Sequence, residues 1–224
     1  MKGIVLCSGG LDSSLVLVKL MHEGHELTPI YIKHGHWAEE GELNTLKNFL
    51  TSRTFWRLSK LVEIDVNLGL QVDGVWGRTI AFVGLAAMWS FTHGNDYDFI
   101  AIGNHIGDIS PDLKPGMFNV ELKSTLRIAT KDRIKLLSPI YNYNIEKIGI
   151  ELFNKYEVKP EEVYSCYWYP ACGFRNIKDT YRCPGCRRKT IAMKAAGITD
   201  KKLLDMPNCY ERSYYPENAE QSDY

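Results

Sequence analysis

Residues 3–20 read GIVLCSGGLDSSLVLVKL, and this stretch decides the fold. Residues 4–7 are a short apolar run of the kind found in a strand buried on both faces. The run stops at the SGG of residues 8–10, where two glycines let the backbone turn tightly and approach a ligand closely. Residues 15–20 then continue as an apolar helix. The stretch predicts a strand, a tight turn and a helix.

The turn is a candidate anion site. A helix that starts directly after it points N–H groups and the positive end of its dipole at the turn, which suits pyrophosphate. Asp12 would repel a phosphate unless a divalent cation lay between them, and Mg²⁺ binds through one or two carboxylates plus phosphate oxygens. We therefore interpret Asp12 as a magnesium-facing carboxylate. The alternative is a glycine turn that binds nothing, which is common in α/β domains.

The string SGGLDSS at residues 8–14 resembles the SGGxDS signature of the N-type ATP pyrophosphatases, the PP-loop family. Members of that family cleave ATP between its α and β phosphates and adenylate a substrate. The Gly-Lys-Ser/Thr ending of a Walker loop is absent from the sequence, so transfer of the γ phosphate is not indicated. The resemblance implies that ATP is bound by Cys7, Ser8, Gly9, Gly10, Leu11, Asp12, Ser13 and Ser14.

Composition sets the outer limits. A chain of 224 residues with 45% hydrophobic content is long enough for one α/β core, alone or with a small appendage. Lys and Arg total 27, as do Asp and Glu, so no net field attracts nucleic acid or an anionic membrane. The sequence enters a strand at once, and its longest apolar run, residues 79–91, is too short to span a bilayer. We expect a cytoplasmic protein with a small-molecule substrate.

Strands alternate with helices along the first 160 residues. Further strands are predicted at residues 27–33, 61–66, 98–103 and 134–140, and helices at 43–50, 79–91, 118–128 and 145–156. This alternation predicts a doubly wound parallel sheet. Residues 79–91 are apolar nearly all round, so we expect that helix to be buried. We divide the chain into a nucleotide-binding α/β domain, residues 1–160, and a C-terminal cysteine-bearing and helical segment packed on it, residues 161–224.

Two groups of polar residues follow predicted strands. His34 and His36 should lie at the same sheet edge as the glycine turn, because the carboxyl ends of parallel strands meet there. They border the nucleotide pocket, bind a metal, or are packed histidines. The loop after residue 103 carries Asp108, Asp112 and Lys114, either for function or as turn formers.

Two further basic residues begin helices. Arg78 is either a solvated cap residue or a residue that binds a phosphate or carboxylate through its planar guanidinium group. Lys147 lies early in the helix at 145–156, where most lysines are only solvated.

Four cysteines cluster near the C-terminus at Cys166, Cys172, Cys183 and Cys186. The last two have C-x-x-C spacing, and four thiolates saturate a tetrahedral zinc, so a structural Zn²⁺ site is predicted. A redox-active pair or scattered thiols are the alternatives. The basic run at residues 187–189 suggests a nucleic-acid-binding zinc ribbon or a solvated helix face, and the neutral chain favours the solvated face.

Together, the turn and the four cysteines resemble the 7-cyano-7-deazaguanine synthase family over most of the chain. Similar segments are VWGRT at residues 75–79, GNHIGDISPDLK at 103–114 and LLSPIYNYNIEKIGI at 136–150. Members bind ATP and zinc and convert 7-carboxy-7-deazaguanine to its nitrile. The resemblance implies catalytic roles for Asp12, Lys147 and Asp112, ATP binding also by Gly103, and substrate binding by Arg78, Asp108, Asp112 and Lys114.

The chain also departs from that family. Residues 110–114 read SPDLK where members have Tyr-Pro-Asp-Cys-Arg, so an aliphatic Leu113 replaces a thiol, and residues 34–36 read HGH in place of Tyr-Gly-Gln. The resemblance implies ATP, Mg²⁺ and Zn²⁺ as cofactors, a deazaguanine carboxylate and ammonia as substrates, and a homodimer, with neither a membrane nor nucleic acid as partner. Three alternatives stay open: a larger amine, even a protein terminus, as acceptor; sulfur transfer to a tRNA base; and a zinc-ribbon binding module with an inactive nucleotide fold.

Overall fold

A computed structural model of the chain describes residues 1–36, 38–53, 55, 57–66, 77–94, 96–106, 115–166, 184–200 and 204, with only the backbone at 115–119. Asp108, Asp112, Lys114, Cys172 and Cys183 lie outside the described residues. Among the helices in the described part, none has the length and apolar content needed to cross a membrane.

A parallel sheet forms the centre of the structure. Its strands in the described residues are β1 (Lys2–Leu6), β2 (Glu26–Lys33), β3 (Val62–Asp65), β4 (Phe99–Ala101) and β5 (Lys135–Leu137). They pair in the order β3-β2-β1-β4-β5, and every pairing is parallel. In the register, Val5 lies opposite both Pro29 and Ala101, so β1 is central. The predicted doubly wound parallel sheet is confirmed.

Helices connect the strands. They are α1 (Leu11–His22), α2 (Glu39–Ser52), α3 (Arg78–Thr92), α4 (Pro115–Ala129), α5 (Ile145–Gly149) and α6 (Pro184–Ala195). A π-helical segment, Ile150–Lys155, continues α5, and a 3₁₀ turn follows at Pro160–Glu162. The helix predicted at residues 145–156 is therefore present, but its second half is wound as a π-helix.

The sheet is covered on both faces. Alternate residues of β1 point to opposite sides, so Val5 joins one hydrophobic cluster and Ile4 the other. The Val5 cluster contains residues of α1, α2, α5 and α6, such as Leu15, Phe49 and Met193. The Ile4 cluster contains residues of α3 and α4. Burial on both faces explains why the central strand reads as a continuous apolar run.

The prediction that residues 79–91 are wholly buried is wrong. Within α3, Val83, Ala86, Ala87 and Ser90 are the buried residues. Ile80, Met88 and Phe91 are 50%, 68% and 38% exposed. The reason is that α3 is an outer layer, which meets the sheet along one stripe and leaves its opposite face outward.

The described C-terminal residues pack on the α/β core. α5 crosses α6 so closely that a Cβ on Gly149 would collide with the backbone of Ala192. The buried Lys189 in α6 donates a hydrogen bond of 2.8 Å from Nζ to the carbonyl oxygen of Val163. The division of the chain at residue 160 stays a prediction.

Candidate functional site

Residues 8–14, the SGGLDSS loop, lie at the carboxyl end of the central strand. The strand ladder continues through Cys7, whose N–H donates to the carbonyl oxygen of Ile30 at 2.9 Å. Gly9 then adopts a left-handed conformation (φ 73°), and a Cβ there would lie 2.8 Å from the carbonyl oxygen of Glu42. Gly10 is the N-cap of α1 and has no side chain with which to cap the helix. The loop therefore brings the N-terminus of α1 to the edge where ligands bind in open α/β sheets.

Ser13 and Ser14, at the start of α1, differ in their hydrogen bonds, and Ser13 holds the loop. The Ser13 hydroxyl accepts a hydrogen bond from the Ser8 N–H at 3.2 Å and donates to the Gly10 carbonyl oxygen at 3.3 Å. Ser14 is buried, and its hydroxyl has no hydrogen-bond partner among the described residues. A buried polar atom without a partner is costly and needs an explanation.

Cys7 does not present its side chain to the loop's open side. The residue is 5% exposed and belongs to the hydrophobic cluster under α1. Burial raises the pKa of its thiol, so the side chain is a neutral packing group. A part for Cys7 in ATP binding stays a prediction.

Gly103 is brought against the same loop. It follows β4, and a Cβ at this position would lie 2.9 Å from the Asp12 carbonyl carbon and 3.0 Å from the Ser13 nitrogen. Only a residue without a side chain allows this approach. The strand order reverses between β1 and β4, which is where a ligand crevice is expected.

The Asp12 carboxylate has two neighbours that the sequence did not reveal. Arg188 of α6 donates from Nη2 to Oδ2 of Asp12 at 2.9 Å. The same Nη2 lies 2.5 Å from Nε2 of His105, and that nitrogen is 3.7 Å from Oδ1 of Asp12. Because a guanidinium only donates hydrogen bonds, His105 Nε2 must be the acceptor. Asp12 and Arg188 carry opposite charges and form an ion pair.

The interpretation of residues 187–189 as a solvated face is wrong for two of the three. Arg187 is exposed, but Arg188 reaches Asp12 and Lys189 is 5% exposed. Burial lowers the pKa of Lys189 to about 8, although the nearby Cys186 and Glu161 act to raise it. Successive helical residues lie about 100° apart, so three in a row cannot share one face. This angular spacing can be derived from the sequence, and it predicts that the three basic residues do not all face solvent.

His34 and His36 lie after β2 at the same sheet edge. Both are buried, with ring centroids 5.6 Å apart, and His34 also packs 5.3 Å from the Phe82 ring. Burial, with the nearby charges of Arg78 and His36, lowers the pKa of His34. This places Arg78 close to His34. Among the described residues there is no group of three or more His, Cys, Asp or Glu arranged to hold a metal.

Lys147 is placed on the surface. Its N–H is capped by the Asn144 side chain at 2.9 Å, and its ammonium lies 3.9 Å from the centroid of the Tyr143 ring. A catalytic role for Lys147 stays a prediction.

The segment that leads to Cys166 lies beside the SGGLDSS loop. Cys166 and Cys186 are buried thiols. Two residues before Cys166, the Tyr164 N–H donates to the Gly9 carbonyl oxygen at 2.8 Å. Because Cys172 and Cys183 lie outside the described residues, the zinc site stays a prediction.

Comparison with known proteins identifies the family. A family model described as "Queuosine biosynthesis protein QueC" matches residues 66–197, more than half of the chain. The chain belongs to the QueC family. It is a divergent member: the 7-cyano-7-deazaguanine synthase of Nitratiruptor sp. is 26% identical over 224 residues, with 90% of this chain and 97% of the relative covered.

Solved structures support the fold of this QueC-family chain. The U34-tRNA thiolase NcsA from Methanococcus maripaludis matches with a TM-score of 0.52 at 15% identity, covering 90% of this chain and 66% of that one. A 4-thiouridine synthetase solved with RNA and ATP matches with a TM-score of 0.51 at 15% identity, covering 88% of this chain and 53% of that one. At this identity the likeness shows a shared fold.

Proposed function

We propose that this QueC-family chain is an ATP-dependent C–N ligase that converts 7-carboxy-7-deazaguanine to 7-cyano-7-deazaguanine. The observation that carries the proposal is the SGGLDSS loop, which presents the uncapped N-terminus of α1 at the carboxyl end of β1. The buried Ser14 hydroxyl, without a partner in the described part of the chain, fits a bound polyphosphate. The substrate is suggested by the name of the synthase relative.

The reaction needs two adenylations because a carboxylate resists attack by ammonia. In the first, a carboxylate oxygen attacks the α phosphorus of ATP and pyrophosphate leaves. Ammonia then attacks the acyl carbon, and AMP departs with that oxygen, which gives the amide. In the second, the amide oxygen attacks the α phosphorus of another ATP and pyrophosphate leaves; loss of AMP and the two nitrogen protons then gives the nitrile. One carboxylate oxygen ends in each AMP.

The chain's own groups would act mainly by positioning and by stabilising charge. The N–H groups that begin α1 would bind the phosphates, and Gly103 would let the turn after β4 approach the loop that presents these N–H groups. Asp12, 24% exposed at the loop, would hold Mg²⁺, which neutralises the departing pyrophosphate. Roles for Lys147 and Asp112 in catalysis, and for Arg78, Asp108, Asp112 and Lys114 in holding the deazaguanine, belong to this proposal.

Zinc would be structural. The two described cysteines of the C-terminal cluster, Cys166 and Cys186, fit such a site because both are buried thiols in segments joined by the hydrogen bond from Lys189 to Val163. With Cys172 and Cys183 they would complete a tetrahedral Cys₄ set, which leaves no open position for chemistry.

The proposal is tested by incubating the protein with the carboxylate, ATP, Mg²⁺ and ammonium. We expect the mass of the amide and then of the nitrile, together with AMP and pyrophosphate. Asp12→Asn should lose pyrophosphate release, whereas Asp96→Asn, an exposed carboxylate paired with Lys2 before β4, should keep it. A wild-type reaction without AMP or a change in substrate mass rejects the proposal.

A different acceptor amine is the second candidate. Leu113 stands where the resemblance expects a thiol, so the sequence at residues 110–114 differs from that of the family. If ammonium gives no product while a larger amine or a protein terminus gives a stable amide, the second candidate is correct. The homodimer and the cytoplasmic location stay predictions.

A further inference from the structure

Arg188 links two distant parts of the chain at the nucleotide edge of the sheet. It lies 176 positions from Asp12 in sequence, yet its Nη2 donates to the Asp12 carboxylate at 2.9 Å. The side chains of Arg188 and Asp12 are 26% and 24% exposed, so the pair is open to ligand on one side. The run of basic residues in the sequence did not predict this contact.

An aspartate at the start of α1 raises a physical problem. Asp12 lies in the first turn of the helix, where the positive end of the dipole would otherwise attract phosphate. An uncompensated carboxylate there would compete for that positive end and repel a polyphosphate. A cation fixed beside it removes both effects.

Arg188 is held where it can be that cation. Its Nη2 is shared between Asp12 and Nε2 of His105, and the His105 side chain is only 1% exposed, so one anchor of the guanidinium is part of the core. The contact with His105 Nε2 orients the guanidinium. Asp12 and Arg188 thus cancel each other at the mouth of the SGGLDSS loop.

We propose that Arg188 is a positioning residue of the nucleotide site: it holds the Asp12 carboxylate and cancels its charge, so that the start of α1 accepts the phosphates of ATP. This inference rests on the proposed use of ATP by the loop. It adds a residue from α6 to a site otherwise built from β1, α1 and the turn after β4.

The inference also ties the loop to the cysteine-bearing segment. Arg188 comes two residues after the buried Cys186 and one before Lys189, which is bound to the Val163 carbonyl. Whatever fixes the start of α6 therefore fixes Arg188. The nucleotide site is complete only when the C-terminal segment is folded against the loop.

The test is ATP binding measured by calorimetry without deazaguanine and with Mg²⁺ removed by a chelator, so that no metal held by Asp12 masks the charge of its carboxylate. Arg188→Ala should weaken ATP binding by about tenfold or more, because the Asp12 carboxylate loses its ion pair with Arg188 and repels the phosphates more strongly. Arg187→Ala is the matched control: it removes the same charge from the adjacent exposed position and should change binding by less than about twofold. Adding Asp12→Asn to Arg188→Ala should restore most of the lost affinity, which a merely structural arginine would not allow.

Two results overturn the inference. One is an Arg188→Ala protein that binds ATP like wild type. The other is a double variant as weak as Arg188→Ala, since Arg188 would then not act through Asp12. If Arg188→Ala does not fold, Arg188→Lys and Arg188→Gln replace it: the lysine should retain binding and the glutamine should lose it, and equal binding by the two overturns the inference.

These outcomes are separable from failure of the proposed function. A wild-type protein that binds ATP but makes no nitrile rejects the proposed reaction. The inference is then decided by ATP binding of the variants alone. A wild-type protein that binds no ATP with or without Mg²⁺ rejects both, and one that binds ATP only with Mg²⁺ rejects the inference alone. Equal ATP binding by all variants of an enzyme that makes the nitrile rejects the inference alone.

Discussion

The backbone N–H of Tyr164 donates a hydrogen bond of 2.8 Å to the carbonyl oxygen of Gly9. Tyr164 and Gly10 also form an isolated parallel bridge, so the segment that leads into the cysteines runs beside the SGGLDSS loop like a short extra strand. The Tyr164 ring meanwhile lies on α2, where a Cβ on Gly41 would come within 2.6 Å of ring atom Cε2. The loop is thus held from β1, from α2 and from the cysteine-bearing segment.

Gly41→Ala tests this contact. The added methyl group must displace the Tyr164 ring, and we expect a loss of about 1–3 kcal/mol in the free energy of unfolding despite the gain in helix propensity. Urea denaturation followed by circular dichroism measures it.

Gly84→Ala is the control for that substitution. Gly84 also lies inside a helix, α3, but an added Cβ would meet nothing within 4 Å. It should stabilise the protein by about 0.5–1 kcal/mol. Equal effects of the two substitutions would show that the contact between position 41 and the Tyr164 ring does not change the free energy of unfolding.

Gly103→Ala tests the crevice between β1 and β4. The methyl group would press on the backbone of Asp12 and Ser13, at 2.9 and 3.0 Å, and backbone cannot move aside as a flexible side chain does. We expect ATP affinity to fall by more than about tenfold, with a smaller loss of stability. Unchanged affinity in a folded variant, measured by calorimetry, would place the nucleotide away from Gly103.

Glu162 predicts a pH dependence of stability. Burial acts to raise the pKa of its carboxyl, but hydrogen bonds from Arg53, the Lys159 N–H and Ser52 outweigh burial and hold it below its usual 4.5. A depressed pKa gives stability that is fully present above the unfolded value and is lost as pH falls through the folded value. The contribution should thus be complete near neutral pH and decline below about 4.5.

Glu162→Gln measures that contribution. The variant should be about 1–3 kcal/mol less stable than wild type at pH 7, and the difference should shrink as the pH falls below about 4.5. Glu121→Gln, at an exposed position of α4, should match wild type throughout. If the difference in the free energy of unfolding between wild type and Glu162→Gln stays constant with pH, the carboxylate charge is not what stabilises the contact.

The zinc proposal predicts that the purified protein carries one metal per chain. Cys186→Ser should lose the metal and lower the melting temperature, because binding free energy at a structural site is folding free energy. Cys7→Ala should keep the metal, since Cys7 packs under α1. Native mass spectrometry counts the metal, and a wild-type protein without zinc would contradict the proposal.

Local features were predictable and distant contacts were not. The strand, turn and helix of residues 2–22 follow from an apolar run, glycines and apolar periodicity, all within one short stretch. The exposed face of α3 was missed because composition alone does not show which stripe meets the sheet. The contact between Asp12 and Arg188 was missed because it joins residues 176 positions apart, and no local pattern encodes such a pair.

The central claim is that ATP is cleaved at its α phosphorus by the oxygen of a carboxylate substrate. We would label both carboxylate oxygens of 7-carboxy-7-deazaguanine with ¹⁸O, add ATP, Mg²⁺ and ammonium, and analyse the nucleotide by mass spectrometry. The account predicts two AMP molecules per nitrile, each carrying one ¹⁸O, together with unlabelled pyrophosphate. Unlabelled AMP, or ADP with inorganic phosphate, would contradict it.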